Sequence, residues 1–530
     1  MSLYSRFPYR PPGSTPITKL DDDVLCMIFS ATRDLDEPES RTWCSNVLVS
    51  HVCQRWRSLS IQYAPLWDVL IWSAGKPVYP ALTVLERSKS AFLTVDLDAI
   101  AESPPSPDNV AGVHFVISAA LSQLSRMEVC ALTWSYEYWD SDVFAPLFSP
   151  SSPRRLPCVR DLILCYRSRP YRPSTLPDVH VVCYDLLQLQ LQGVVAKNWA
   201  SMLGKHTCIV ALSDCNVQYD DFVLFLESTP ALMELHVDWL RILNAPRTVP
   251  GDSDKVVGHA MSSLRISQID EDTLRVLGRL IPIDKIDTVD IAAQHMDEDE
   301  GPLCLEFLRV PNLKANIATL HIIDDVTSTF IVIAPARAGS NSMCRTLTST
   351  QSVLPFLPDA LDGFDMFSTL EQIALDITQW ADFMDLVATA PTGPCLPILQ
   401  EIRLVVNQSV IFEPPEGLRD YAGPDISFPR LSALDIELLG LDPPSKSLVR
   451  PLLRAVRPLL FADIAGNPLP DKATMKIQFL GSGDHAGTLR CMYETVVDEG
   501  ATPAEVMVGQ AIFPGLSKLL RQCFSRATCY

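Results

Sequence analysis

The residues able to do chemistry in this chain do not fall in the spacings that chemistry requires. Ser482, Asp484 and His485 crowd into GSGDHAG (481–487), which holds the three residue types of a hydrolytic triad. Triad partners converge through the fold and not through adjacency, so this stretch reads as a turn. The acidic run MDEDEG (296–301) lacks the alternating ligands and distal glutamate of a calcium loop and reads as solvated loop. Cys208 and Cys215 have no neighbouring histidine or cysteine at zinc-site spacing. GxSxG, HExxH, P-loop and strand-following GxGxxG motifs are all absent. The expectation is no catalytic residue, no metal and no cofactor.

The 530 residues are 47% hydrophobic and 20% charged, enough apolar material for large cores and too much for a disordered chain. With 43 Lys+Arg against 63 Asp+Glu the formal charge is −20, which argues against a phosphate-binding surface and hence against nucleic acid. The 15 cysteines are scattered without a CxxC, a pattern of reduced thiols. No apolar run approaches the length of a membrane span, and MSLYSRFPYRPPGSTPIT lacks the apolar stretch of a secretory signal. These features predict a cytoplasmic or nuclear chain without a membrane partner, its residues 1–17 a loose tail.

Groups that bind, as opposed to react, are concentrated near the N-terminus. In TKLDDDVLCMIF, Thr18 is a candidate helix cap, and Asp21, Asp22 and Asp23 place negative charge where a helix dipole favours it. Val24, Leu25, Ile28 and Phe29 follow as an apolar stripe. A second helix is expected from near Thr42 to about Leu59. It would carry Val49, Val52, Cys53, Trp56 and Leu59 along one face, with Pro65 ending the run before Leu66 and Trp67. Short helices of this kind need a surface to cover their stripes.

The two blocks, LDDDVLCMIF and VSHVCQRWRSLS followed by PLW, resemble the F-box in its fungal form. The similarity covers about residues 18–72, and it departs from the family at Asp21, where proline is usual. The resemblance implies docking onto a Skp1-like adaptor, and through it onto a cullin. Leu20, Asp21, Val24, Leu25 and Ile28 of the first block would lie at the adaptor. Val52, Cys53 and Trp56 of the second block would pack the module and reach the same interface. Apolar anchors at helical spacing around an aromatic suit a helix-in-groove contact.

Past residue 75 a frame of apolar-x-x-apolar-x-apolar recurs, often led by proline. It appears at Phe92-Val95-Leu97, Leu124-Met127-Val129, Leu186-Leu189-Leu191, Met261-Leu264-Ile266, Ile286-Val289-Ile291, Ile317-Leu320-Ile322, Leu370-Ile373-Leu375 and Leu399-Ile402-Leu404. Asn407 stands after the last of these, where a leucine-rich repeat has its asparagine. Proline-led frames begin at Pro80, Pro157, Pro230, Pro397, Pro429 and Pro514. After four of these the alternating tails LILC, LHV, IRL and LDI predict half-buried strands, and AGVHFVISAALSQLSRM and DDFVLFLESTP predict helices between frames.

The expected fold class is therefore α/β. A small N-terminal helical F-box module (18–72) would precede an irregular leucine-rich-repeat-like α/β solenoid, a horseshoe, over 73–470. Residues 326–366 would form an irregular repeat or inserted loop, and 471–530 a capping region. Glu234, His236, Asp290, His321, Arg403 and Asp435 fall between the apolar positions and would line the exposed strand face, where a protein target would bind. The implied function is the substrate-recognition subunit of a Skp1–cullin–F-box ubiquitin ligase. A Skp1-binding scaffold outside a ligase, or an unrecognised enzyme, are the alternatives.

Overall fold

A computed structural model of the protein describes residues 16–34, 44–100, 106–151, 153–167, 177–196, 199–246, 260–293, 370–376, 379–389 and 395–407. It also describes shorter segments at 307, 317–325, 328–335, 344–349, 367, 429–430, 433–439, 476–481 and 505–508. The chain divides into two compact units, one of residues 1–233, 240–248 and 257–260, the other of 234–239, 249–256 and 261–530. The protein is mixed α/β with a large, mainly parallel sheet, and each unit is described by itself.

The first unit begins with a 3-10 turn, Pro16–Lys19, and three helices, α1 (Asp22–Asp34), α2 (Cys44–Val52) and α3 (Gln54–Gln62). The Leu25 amide bonds to the Asp21 carbonyl, so α1 takes its first turn from Asp21. Thr18, expected as the cap, lies in the preceding 3-10 turn instead.

The single second helix expected from the sequence is two helices broken at Cys53, whose backbone is extended at φ −159 and ψ 171. Arg57 explains the break chemically. Its amide bonds to the Cys53 carbonyl to start α3, while its guanidinium donates to the Ser50 carbonyl at the end of α2. Carbonyls left open at a helix end are thus satisfied by a side chain. The predicted stripe from Val49 to Leu59 consequently does not share one face.

A 3-10 turn, Ala64–Trp67, leads into strands β1 (Val69–Ser73), β2 (Leu93–Ala99), β3 (Met127–Ser135), β4 (Arg154–Leu156), β5 (Asp161–Arg167), β6 (Asp178–Val179), β7 (Val181–Cys183), β8 (Gln188–Gln192), β9 (Val195–Ala196), β10 (Ile209–Ser213) and β11 (Asn216–Gln218), of which β4 pairs with β7 and β6 with β9 apart from the main sheet. Strands β1, β2, β3, β5, β8 and β10 pair in that order, each parallel to the next.

Crossovers carry α4 (Val78–Arg87), α5 (Pro107–Leu121), α6 (Ser141–Phe148) and α7 (Trp199–Met202), and α8 (Tyr219–Ser228) follows β11. Helix α5 opens on Ser106, whose hydroxyl accepts from the Asn109 amide, with proline at the first helical position. The frame beginning at Pro80 falls inside α4, where the proline sits in the first helical turn and its missing N–H costs no helical bond.

In the second unit β12 (Glu234–Asp238) precedes β13 (Arg241–Leu243), whose residues belong to the first unit and pair parallel with β11. The second unit continues with β14 (Ser263–Ser267), α9 (Glu271–Leu280), β15 (Thr288–Ala293), β16 (Ile317–Asp325), β17 (Ser328–Pro335), β18 (Cys344–Ser349), β19 (Gln372–Asp376), α10 (Trp380–Ala388), β20 (Glu401–Asn407), β21 (Ala433–Leu439), β22 (Lys476–Gly481) and β23 (Glu505–Val508). Strand β12 pairs parallel with β14, β14 with β15 and β15 with β18. Strand β16 pairs parallel with β19, and the parallel order then runs through β20, β21, β22 and β23.

Strand β17 is antiparallel to both β16 and β18, an interruption falling where the repeat frame lapses in the sequence. Strands β22 and β23 carry the parallel order past residue 470. The GSGDHAG turn beyond its first glycine, the acidic run 296–301 and the frame at Pro514 lie outside the described residues.

One face of each sheet is core. Leu93, Val95, Leu97, Leu132, Leu162, Leu164, Leu189, Leu191, Val210 and Leu212 are buried, as are Leu235, Leu264, Ile266, Val289, Ile291, Ile373 and Ile402. Most frames set the phase correctly. In β3 the inward residues are Met127, Cys130, Leu132 and Trp134, because a register irregularity near its start turns Val129 outward.

Candidate partner-binding site

The N-terminal module is closed from within. Leu25 and Phe29 are fully buried, the Phe29 ring meets Trp56 edge to face at 5.0 Å, and the Ser30 and Tyr63 hydroxyls are 3.0 Å apart. Trp67 is buried, its indole N–H donating to the Ser60 carbonyl at 2.6 Å and its ring lying 4.4 Å under the Arg87 guanidinium of α4. Arg33 pairs with Asp68, and Arg55 spans the Leu20 carbonyl and the Asp22 carboxylate, each at 2.6 Å. Module and first strand are therefore joined by packing and charge, without an intervening loose linker.

The residues singled out in the sequence separate into three groups. Val24 (40% exposed) and Ile28 (36%) lie on the outer side of α1, and Val52 (60%) on α2, while Asp21 and Cys53 are exposed. Leu20 and Trp56 are half-buried. Leu25, expected to face the adaptor, is 0% exposed and part of the module's own core. The reason is helical geometry, which puts Leu25 and Phe29 four apart on the inner face and turns Val24 and Ile28 outward.

Two contributors were missed. Met27 is 70% exposed and Leu48 63%. Spacing holds the signal for both, Met27 being three residues after Val24 and Leu48 four before Val52. Outer α1 and α2 thus carry five large apolar side chains in water, an arrangement suited to docking and to no bond-making chemistry.

Elsewhere Glu234, His236, Asp290 and Arg403 are half-buried on the outward sheet face of the second unit, while the side chains of His321, Asp435 and Asn407 lie outside the described residues. Burial and the nearby Arg265 push the His236 imidazole pKa down against the pull of Glu234 and Asp290. The thiols of Cys130, Cys183 and Cys215 are pushed up to about 12 by burial, opposite to the shift of a reactive cysteine. Among the described residues no three His, Cys, Asp or Glu gather as a metal site, and no helix is long and apolar enough to cross a membrane. Scanned against protein-family models and against curated proteins, the chain matches none.

Proposed function

We propose that the protein is a non-catalytic substrate receptor of a Skp1–cullin–F-box ubiquitin ligase. In this reading α1 to α3 form the F-box, and the parallel strands with their crossovers form an irregular leucine-rich-repeat horseshoe. The observation that carries the reading is the pairing of a satisfied core with an unsatisfied outside. Leu25, Phe29, Trp56 and Trp67 close the module, yet Val24, Met27, Ile28, Leu48 and Val52 remain in water on two helices that pack together. The LDDDVLCMIF and VSHVCQRWRSLS blocks supply these helices in the order of the F-box.

Local details support the repeat reading. Cys215 follows Val210 and Leu212 at the position where the leucine-rich repeat carries asparagine or cysteine. Its thiol donates to the Val194 carbonyl at 3.0 Å, reaching into the preceding turn. Residues with positive φ, Gly193 and Asp214, directly follow β8 and β10, which are neighbours in the sheet, and turn the chain at equivalent corners.

The mechanism is tethering. The module holds the adaptor, the strand face holds a target, and the raised effective concentration lets a separate enzyme transfer ubiquitin. Co-expression with a Skp1-like adaptor and a cullin tests the reading. Recovery of both with the full chain is expected. Recovery of the adaptor without the cullin would favour a scaffold outside a ligase, and recovery of neither would contradict the assignment.

A further inference from the structure

The outward face of the first unit's sheet carries two carboxylates, on β2, that pair with no cation among the described residues. On β2 the inward Leu93, Val95 and Leu97 are buried, which turns Asp96 and Asp98 to the other face, about 7 Å apart along the strand. The register sets Asp96 beside Ile71 and Ala131, and Asp98 beside Ser73 and Thr133. Asp161 on β5 adds a third outward carboxylate.

Among the described residues Asp96 makes no ion pair or hydrogen bond, and Asp98 accepts only the Ile100 amide at 3.2 Å. Among the described residues no lysine or arginine pairs with either carboxylate: Arg160 is paired with Glu128 at 3.1 Å, and Arg167, opposite Ser135 on β5, borders the face at its far end. Burial raises the Asp96 pKa and the neighbouring Asp98 adds to the effect, so a cation brought to this face would favour the ionised form of Asp96.

A second polar group on this face is also unsatisfied. Ser135, in the same outward phase as Ala131 and Thr133, is 5% exposed, and its hydroxyl has no hydrogen-bond partner among the described residues. A buried hydroxyl without a partner is costly, and it can accept from an incoming donor. Phosphate-bearing ligands are repelled by Asp96 and Asp98, and among the described residues no third carboxylate converges on them to hold a metal.

We propose that this face docks an extended, lysine- or arginine-bearing segment of a partner protein. Its cationic groups meet Asp96 and Asp98, and its aliphatic parts lie over Ala131 and Ile163. The inference rests on reading the repeat region as the part that binds targets, and it names the chemistry of that target.

The test titrates the full chain with a short fluorescent peptide of alternating lysine and alanine, and with its glutamate counterpart. Asp96→Asn with Asp98→Asn is compared with Asp220→Asn with Glu227→Gln, which removes the same charge from exposed positions on α8. Expected are salt-sensitive binding of the lysine peptide alone and a loss of about tenfold for the β2 pair only, the scale of two weakly screened ion pairs. Equal losses in both pairs would mean diffuse attraction to an acidic chain and would overturn the proposal, as would no binding. Adaptor recovery measured on the same samples reports separately on the receptor reading.

Discussion

The rings of Phe29 and Trp56 meet edge to face, centroids 5.0 Å apart and planes at 62°, and so join the two sequence blocks of the N-terminal module. Phe29 is fully buried, and Phe29→Ala is expected to lower unfolding free energy by about 3–5 kcal/mol. A double-mutant cycle with Trp56→Ala should return a coupling of about 0.5–1.5 kcal/mol, read from denaturant midpoints. Additivity would mean that the two blocks fold without each other.

Gly193 turns the chain after β8 with φ +64, and a methyl group there would overlap the Tyr166 carbonyl. Gly75 has φ +86 but open space around it. Gly193→Ala should therefore destabilise by about 1–3 kcal/mol or more, and Gly75→Ala by about 1 kcal/mol from backbone strain alone. Thermal melts of the two variants rank them directly, and the reverse order would refute the close approach at Tyr166.

Thiol labelling separates the described cysteines. Cys53 is exposed, whereas Cys130, Cys183 and Cys215 are buried with pKa values pushed up to about 12. Maleimide at neutral pH should label Cys53 rapidly and leave those three unmodified until the chain unfolds, as mass spectrometry of tryptic peptides would show. Early modification of Cys215 would contradict its place between strand turns.

The Asp96 carboxyl has a pKa raised above 3.8 by burial and by Asp98. A raised carboxyl pKa favours the fold at low pH, and that contribution is lost as pH climbs from the unfolded value through the folded one. Asp96→Asn should accordingly stabilise the protein at pH 7, with the advantage shrinking below pH 4. Denaturant titrations at the two pH values give the sign, and an unchanged or reversed difference would show that the fold does not raise the Asp96 pKa.

Much of the core was legible in the residues because strand parity is rigid. A frame such as Leu186-Leu189-Leu191 fixes which side chains face inward, and all three are buried. Periodicity misled where a side chain outside the pattern decided the backbone. Arg57 takes the Ser50 carbonyl and allows the break at Cys53, so the stripe traced from Val49 to Leu59 splits. At the candidate site the sequence pointed to Val24, Ile28 and Val52. It could not separate Leu25 from them, since neighbouring apolar residues on a helix read alike until the packing partner, here Trp56 and the closing turn, is known. Pairing β15 with β18 across an antiparallel hairpin depends on contacts far apart in the chain and has no local signature.

Adaptor affinity measured by calorimetry tests the central claim most directly, using the full chain and a purified Skp1-like protein. Val24→Asp with Ile28→Asp changes exposed positions on α1, so stability should move by no more than about 0.5 kcal/mol per site. Binding should fall by about a hundredfold or more, since apolar anchors at the centre of an interface cost about 2 kcal/mol or more each. Unaltered binding by this variant, or none by the folded wild-type chain, would contradict the account.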